Sequence, residues 1–214
     1  MRSISATDGW KSRRITHKNN GEITMNTYTS FLNEKELSAL KTLVGKKCFY
    51  IRFPFVNISD CIEFESGEMY VYNENEKYEL NIKSRWKETE IDWIDYGDIL
   101  LDLRELKVGN SSLNLHYEEN DPDRKSAVYF PATEIKYVSV YQFVFEGKND
   151  TVIYDSHLVI GFENKKVMVF DFHRDISERI LLTITDEDDM MQVIEKHDFI
   201  GEKGKISERV TFRG

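Results

Sequence analysis

The sequence predicts an α+β fold: an antiparallel β-sheet or sandwich of roughly eight to ten strands with two principal amphipathic helices. Three observations carry that expectation. From Lys47 to Phe145, short apolar runs alternate with tight-turn residues. Helical periodicity with capping chemistry is confined to two places, after Asn33 and after Thr185. Between His157 and His173, HLVIGFENKKVMVFDFH, two apolar runs flank a polar break, which is the pattern of a hairpin buried on both faces.

Residues 1–24 carry five basic and two acidic side chains with no hydrophobic periodicity. They are expected to be disordered, or not to belong to the natural protein. Gly21-Glu22 can be encoded by a purine run of the kind that recruits a bacterial ribosome, with Met25 as the true start. Finding residues 1–24 intact on the native protein would refute that. Residues 25–214 then form one globular domain, a size that buries roughly 70% of its unfolded surface.

The first helix is capped by Asn33 with Glu36 three residues on, a capping box, and Leu32 and Leu37 sit at the staple positions. Leu37, Leu40, Leu43 and Val44 make its apolar stripe, and Gly45 stops it. Lys47 to Phe53 is a strand ended by Pro54. Cys61 to Phe64, a Ser66-Gly67 turn, Glu68 to Tyr72, a turn at Asn73 to Glu76, and Tyr78 to Lys83 read as a meander. Trp86 to Leu106 is mixed, because Asp92, Asp95, Asp98 and Asp102 recur at helical spacing while Ile99 to Leu103 suits a strand. Ser112 to Glu118 is a strand, followed by an acidic loop at Glu119 to Lys125 that Pro122 turns. Ala127 to Phe130 and Ile135 to Phe145 are two aromatic-rich strands, the second covered on both faces.

In the hairpin, a loop at Asn164, Lys165 and Lys166 pairs Leu158, Ile160 and Phe162 with Phe172, Phe170 and Met168. The opposite face then gathers His157, Val159, Gly161, Val169, Asp171 and His173, with His157 directly opposite His173. A different loop length would change this register. Arg179 to Ile184 is a further strand. Thr185 caps a helix with Asp186, Glu187 and Asp188 in its first turn, buried through Met190, Met191, Val193 and Ile194. Ile206 to Phe212 closes the chain as an edge strand. Ile-Ser-Glu-Arg occurs at 176–179 and 206–209, but its flanks do not match and no repeat follows.

Thirty-eight acidic against twenty-nine basic side chains give a net charge of -9. Beyond residue 24 the balance is 29 minus 5 against 38 minus 2, or -12. This argues against direct binding of nucleic acid, which depends on Lys and Arg meeting phosphates. No apolar run reaches the ~20 residues of a membrane span and no signal peptide is legible, so a cytoplasmic protein is expected. Cys48 and Cys61 do not form a CxxC pair and read as free thiols.

Three functional readings follow. The leading one is a non-enzymatic protein-binding module, of inhibitor or immunity type, that neutralises a basic protein partner and needs no cofactor. Its contact residues would be Trp86, Asp92, Trp93, Asp95, Tyr96 and Asp98, with Glu118, Glu119, Asp121 and Asp123. The alternative is a metal-dependent hydrolase using His157, Asp171 and His173, since two imidazoles and a carboxylate suit zinc, manganese or iron. The third has the carboxylates imitating DNA phosphates. His116 with Glu118 shares a strand face at acid/base spacing, as many strand pairs do. His173-Arg174-Asp175 resembles the kinase catalytic tripeptide, but Ile180 stands where Asn is required and no glycine-rich loop precedes it. No GxSxG, P-loop or dinucleotide motif is present.

Overall fold

The computed structural model describes residues 26–53, 57–58, 62–64, 66–87, 96–106, 126–148, 150–172, 180–197 and 203–214. In chain order the elements are β1 (Asn26–Ser30), α1 (Glu34–Leu43), β2 (Lys47–Phe53), β3 (Asn57–Ile58), β4 (Ile62–Phe64), β5 (Ser66–Tyr72), β6 (Lys77–Lys87) and β7 (Tyr96–Glu105). There follow β8 (Ser126–Glu146), β9 (Asp150–Phe162), β10 (Lys166–Phe172), β11 (Ile180–Asp186), α2 (Met190–Ile194) and β12 (Lys205–Arg213). The fold is α+β and mostly antiparallel. Among the described residues, ten strands are five residues or longer, and β3 and β4 are shorter.

The long strand β8 joins two sheets. Its first half pairs with β2, beyond which lie β5, β6 and β7; its second half pairs with β9, beyond which lie β10, β11, β4 and β3. Met69, Val71, Leu80, Ile82, Ile99 and Leu101 of the first sheet share one core with Val140, Leu158, Ile160, Phe170, Phe172 and Leu182 of the second. Each such side chain contributes roughly 1.5–3 kcal/mol by leaving water. Helix α1 adds Leu40 and Leu43 to this core. Its capping box is present: Glu36 N–H donates to Asn33 Oδ1 at 3.0 Å and Asn33 N–H to Glu36 Oε2 at 2.8 Å. Gly45, at φ +78°, supplies the left-handed residue that ends it.

Several expectations are corrected. The hairpin loop is Glu163, Asn164 and Lys165, one position earlier than the polar break suggests. Lys165 takes the left-handed conformation at φ 61°, and the Asn164 side chain accepts the Lys166 N–H at 3.1 Å, a type I turn followed by an αL residue. Each pairing therefore slides by two residues. Leu158 faces Phe170, Ile160 faces Met168, and His157 faces Asp171 instead of His173. A two-residue slide preserves the alternation, so the face assignments hold: Leu158, Ile160, Phe170 and Phe172 point into the main core and Val159 and Val169 to the other side.

Ser66 and Gly67 are not a turn but the start of β5, paired with Lys83 and Ile82. The expected meander is broken because β4 pairs with β3 and β11 in the other sheet. The two aromatic-rich strands are one strand, β8. Pro131 does not interrupt it, since it lies where Cys48 opposite Thr133 gives way to Tyr50 opposite Tyr129, an irregularity that asks no ladder bond of proline. The aspartate spacing at 92–102 is not helical where it is described: Tyr96–Glu105 is a strand, paired along its length with β6. Thr185 stays in β11 opposite Val167, and the following helix begins with a 3-10 turn at Glu187–Asp189. Met191 is exposed, while Met190, Val193 and Ile194 pack on the sheet. A strand was also missed, β1, which runs parallel to β9.

Candidate functional site

The second sheet buries both faces, and its outer face carries the only group of three potential metal-ligating side chains found together among the described residues: His157, Asp171 and His197. Two β-bulges assemble its surroundings. Between the pairs Tyr141–His157 and Gln142–Asp155, β9 holds one extra residue, Ser156. Between Glu208–Tyr141 and Val210–Val140, β12 holds one extra residue, Arg209. Both irregularities therefore flank β8 at Tyr141.

The bulge at Ser156 has two consequences. It reverses the alternation along β9, so Tyr154 comes to lie on the same face as His157, although strict period-two counting puts them on opposite faces. It also marks the point where the neighbour of β9 changes: β1 pairs with residues 150–154 and β10 with residues 157–161. His197, just past α2, enters at this seam. A helix of five residues is not stable alone, and burial of Ile194 with Met190 and Val193 against Tyr141, Val159, Val167 and Val169 is what holds α2 there.

The resulting chain of contacts is buried. Tyr154 Oη lies 2.7 Å from His197 Nε2, and His197 Nδ1 lies 2.7 Å from Asp171 Oδ1. His157 Nε2 approaches the same oxygen at 3.7 Å, and His157 Nδ1 is 2.8 Å from Ser156 Oγ. The imidazole rings meet edge to face with centroids 4.9 Å apart, and Phe143 packs on the other side of His197 at 4.9 Å. His157 is 0% and His197 2% exposed, and the Asp171 side chain 14%. A carboxylate only accepts, so in the neutral ring His197 Nδ1 carries the proton and Nε2 accepts from Tyr154. Nearby, burial raises the phenol pKa values of Tyr137 and Tyr141.

On the opposite side of the Ser156 bulge stands a buried ion pair. Asp155 accepts Arg209 Nε and Nη2, each at 2.6 Å, and the Leu32 N–H at 2.7 Å. The guanidinium also lies 5.2 Å from the Phe31 ring. This pair fixes both bulges to the entry of α1.

Of the three metal ligands expected from sequence, the structure brings His157 and Asp171 together as direct cross-strand partners. His173 lies outside the described residues, and His197 supplies the second imidazole. His197 has no short-spacing motif to announce it, since 26 residues and a helix separate it from Asp171. Of the expected partner-binding residues, Trp86, Tyr96 and Asp98 lie in strands, with Lys87 opposite Tyr96, Trp86 opposite Gly97 and Arg85 opposite Asp98. Asp92, Trp93, Asp95, Glu118, Glu119, Asp121 and Asp123 lie outside the described residues, as do His116, Cys61 and residues 1–24.

Leu100, Asp102 and Arg104 alternate along β7 with the buried Ile99 and Leu101, on the sheet face away from the core, and Tyr96 and Asp98 precede them in the same strand. There Glu68, Tyr72, Glu79, Asn81 and Asp102 are half-buried, Lys83 and Arg104 are exposed, and Leu100 is 36% exposed. No helix among the described residues is long and apolar enough to cross a membrane. No family model, curated protein or solved structure matches the chain.

Proposed function

We propose that the chain is a non-enzymatic, acidic protein-binding module for a basic protein partner, of inhibitor or immunity type, and that the outer face of β5, β6 and β7 receives that partner. One observation carries this reading: Leu100 stands exposed opposite Lys83 and beside Asn81 and Asp102 on the outer sheet face, in the strand that also holds Tyr96 and Asp98, two of the residues expected from sequence to make the contact. An apolar centre ringed by polar side chains suits a protein interface. The net charge of -9 would steer a basic partner toward it, and salt would weaken that attraction.

A metal-dependent hydrolase remains the second reading, with His197 joining His157 and Asp171. It is favoured by the 4.8 Å span of their ligand atoms. Burial of both imidazoles weighs against it, because a substrate would meet only the exposed edge of Asp171.

The test is capture of proteins from cell extract on the immobilised full chain and on a Leu100→Arg variant. The proposal expects a basic protein retained at low salt, released as salt rises, and lost with the variant. A partner that the variant retains equally, or no retention above a blank surface, would sink it.

A further inference from the structure

We propose that His157, Asp171 and His197 form a binding site for one divalent ion of the zinc class, and that the ion clamps the segment after α2 to β9 and β10. The inference is independent of the protein-binding reading. It rests first on which ring nitrogens are already engaged. His157 uses Nδ1 toward Ser156 Oγ at 2.8 Å, and His197 uses Nε2 toward Tyr154 Oη at 2.7 Å. The remaining nitrogens, Nε2 of His157 and Nδ1 of His197, both point at Asp171 Oδ1, at 3.7 and 2.7 Å. A hydroxyl on the far nitrogen fixes the ring's orientation, the arrangement that metal-bound histidines use. Two imidazoles and one carboxylate are a donor set for zinc, which is bound through three protein ligands when a fourth position is left to water.

The distances admit an ion after a small closure. All three ligand atoms lie within 4.8 Å of one another. Zinc bonds of about 2.0–2.2 Å hold tetrahedral ligand atoms about 3.4 Å apart, so the shortest contact opens by under about 1 Å and the widest closes by up to about 1.4 Å. As the ion enters, the His197 ring takes its other neutral tautomer: Nδ1 gives its lone pair to the ion, and the proton it had shared with Asp171 is carried instead on Nε2, which donates to Tyr154 Oη. Asp171, with 14% of its side chain exposed, is the edge by which the ion reaches the site. Placement of Tyr154, Ser156 and His157 by one bulge gives the cluster a common cause, which chance decoration of a strand would not. The sequence alone predicts His173 as the third ligand, so the variants at His173 and His197 distinguish the two sets.

Full-length protein stripped with chelator is titrated with Zn²⁺ against a chromophoric competitor, and with Co²⁺ for its visible absorption. The expected result is one equivalent bound, a tetrahedral cobalt spectrum and a raised melting temperature. Asp171→Asn, which is isosteric and keeps the fold testable, and His197→Gln should each weaken binding at least 10-fold, and Tyr154→Phe by about 10–100-fold with the tetrahedral spectrum retained. His173→Ala should leave binding unchanged. Absence of Zn²⁺ and Co²⁺ binding in the wild-type chain overturns the proposal. So does binding that survives in Asp171→Asn and His197→Gln, or binding lost in His173→Ala but kept in His197→Gln.

Discussion

Replacing Arg209 with alanine removes the cation that neutralises Asp155, whose side chain is 2% exposed. Asp155 would keep the Leu32 N–H and lose two charge-assisted bonds of 2.6 Å each. At the lower end of about 1.5 kcal/mol per bond, chosen because Arg209 is itself 22% exposed and water can replace part of what is lost, the cost is about 3 kcal/mol. That agrees with the ~3–5 kcal/mol typical of a buried charge left without its partner. For a chain of 214 residues it corresponds to a melting temperature lower by roughly 6–12 °C. Arg209→Lys keeps the charge but not the fork, and should recover only part of the loss. Thermal and urea unfolding measure these changes, and a double-mutant cycle with Asp155→Asn isolates the coupling. A loss under about 0.5 kcal/mol, or additive single effects, would refute the claim that this pair pins the two bulges.

Three further outcomes are expected. A Cβ on Gly161 would run into the Tyr137 ring, so Gly161→Ala should cost about 1–3 kcal/mol and be relieved in a Tyr137→Leu background; an equal cost in both backgrounds would show that the ring is not the obstacle. Hydrogen bonds from Lys46 and Asn73 hold the Glu76 carboxyl below its ordinary 4.5. Its contribution is therefore present above the unfolded carboxylate pKa and lost as pH falls through the lower folded value. The melting-temperature gap between wild type and Glu76→Gln should accordingly close as the solution is acidified, whereas a gap constant down to about pH 3 would contradict the pairing. Burial pushes the Cys48 thiol well above its usual range, and only thiolate reacts, so in a Cys61→Ser background alkylation should await denaturation; rapid labelling of native protein would show the site open.

Much of the scaffold was legible because its causes are local. The Asn33 capping box, the Lys47–Phe53 strand and the two-sided burial of the hairpin all follow from residue type and spacing over a few positions. The hairpin register was not, because the polar run Asn164-Lys165-Lys166 does not coincide with the loop: Glu163 belongs to it and Lys166 opens β10, while Lys165, a residue type that does not announce it, takes the left-handed conformation. The site was half legible. His157 and Asp171 share a face in either register, since a slide of two residues keeps the alternation. Tyr154 and His197 were hidden for separate reasons. Tyr154 reaches that face only through an extra residue at Ser156, and no residue type there signals a bulge. His197 arrives by packing of α2 onto the sheet, a long-range event that periodicity records as an apolar helix face without saying which face it meets. The Ile206–Phe212 stretch has the alternation of a regular edge strand, whereas the bulge at Arg209 breaks it, turns that side chain toward Asp155 and puts Ile206 and Val210 in different clusters.

One bulge in β9 sets Tyr154 on the face where His157 meets Asp171 across the hairpin, and the packing of α2 delivers His197 into contact with all three. Long-range ¹H–¹⁵N spectra of the histidines in metal-stripped protein test this arrangement most directly, recorded in mildly alkaline solution. With Asp171 accepting from Nδ1 and Tyr154 donating to Nε2, His197 should appear as a single Nδ1–H tautomer, and Tyr154→Phe should shift its Nε2 resonance. An Nε2–H tautomer, or the averaged pattern of a solvated ring that ignores Tyr154→Phe, would contradict the arrangement.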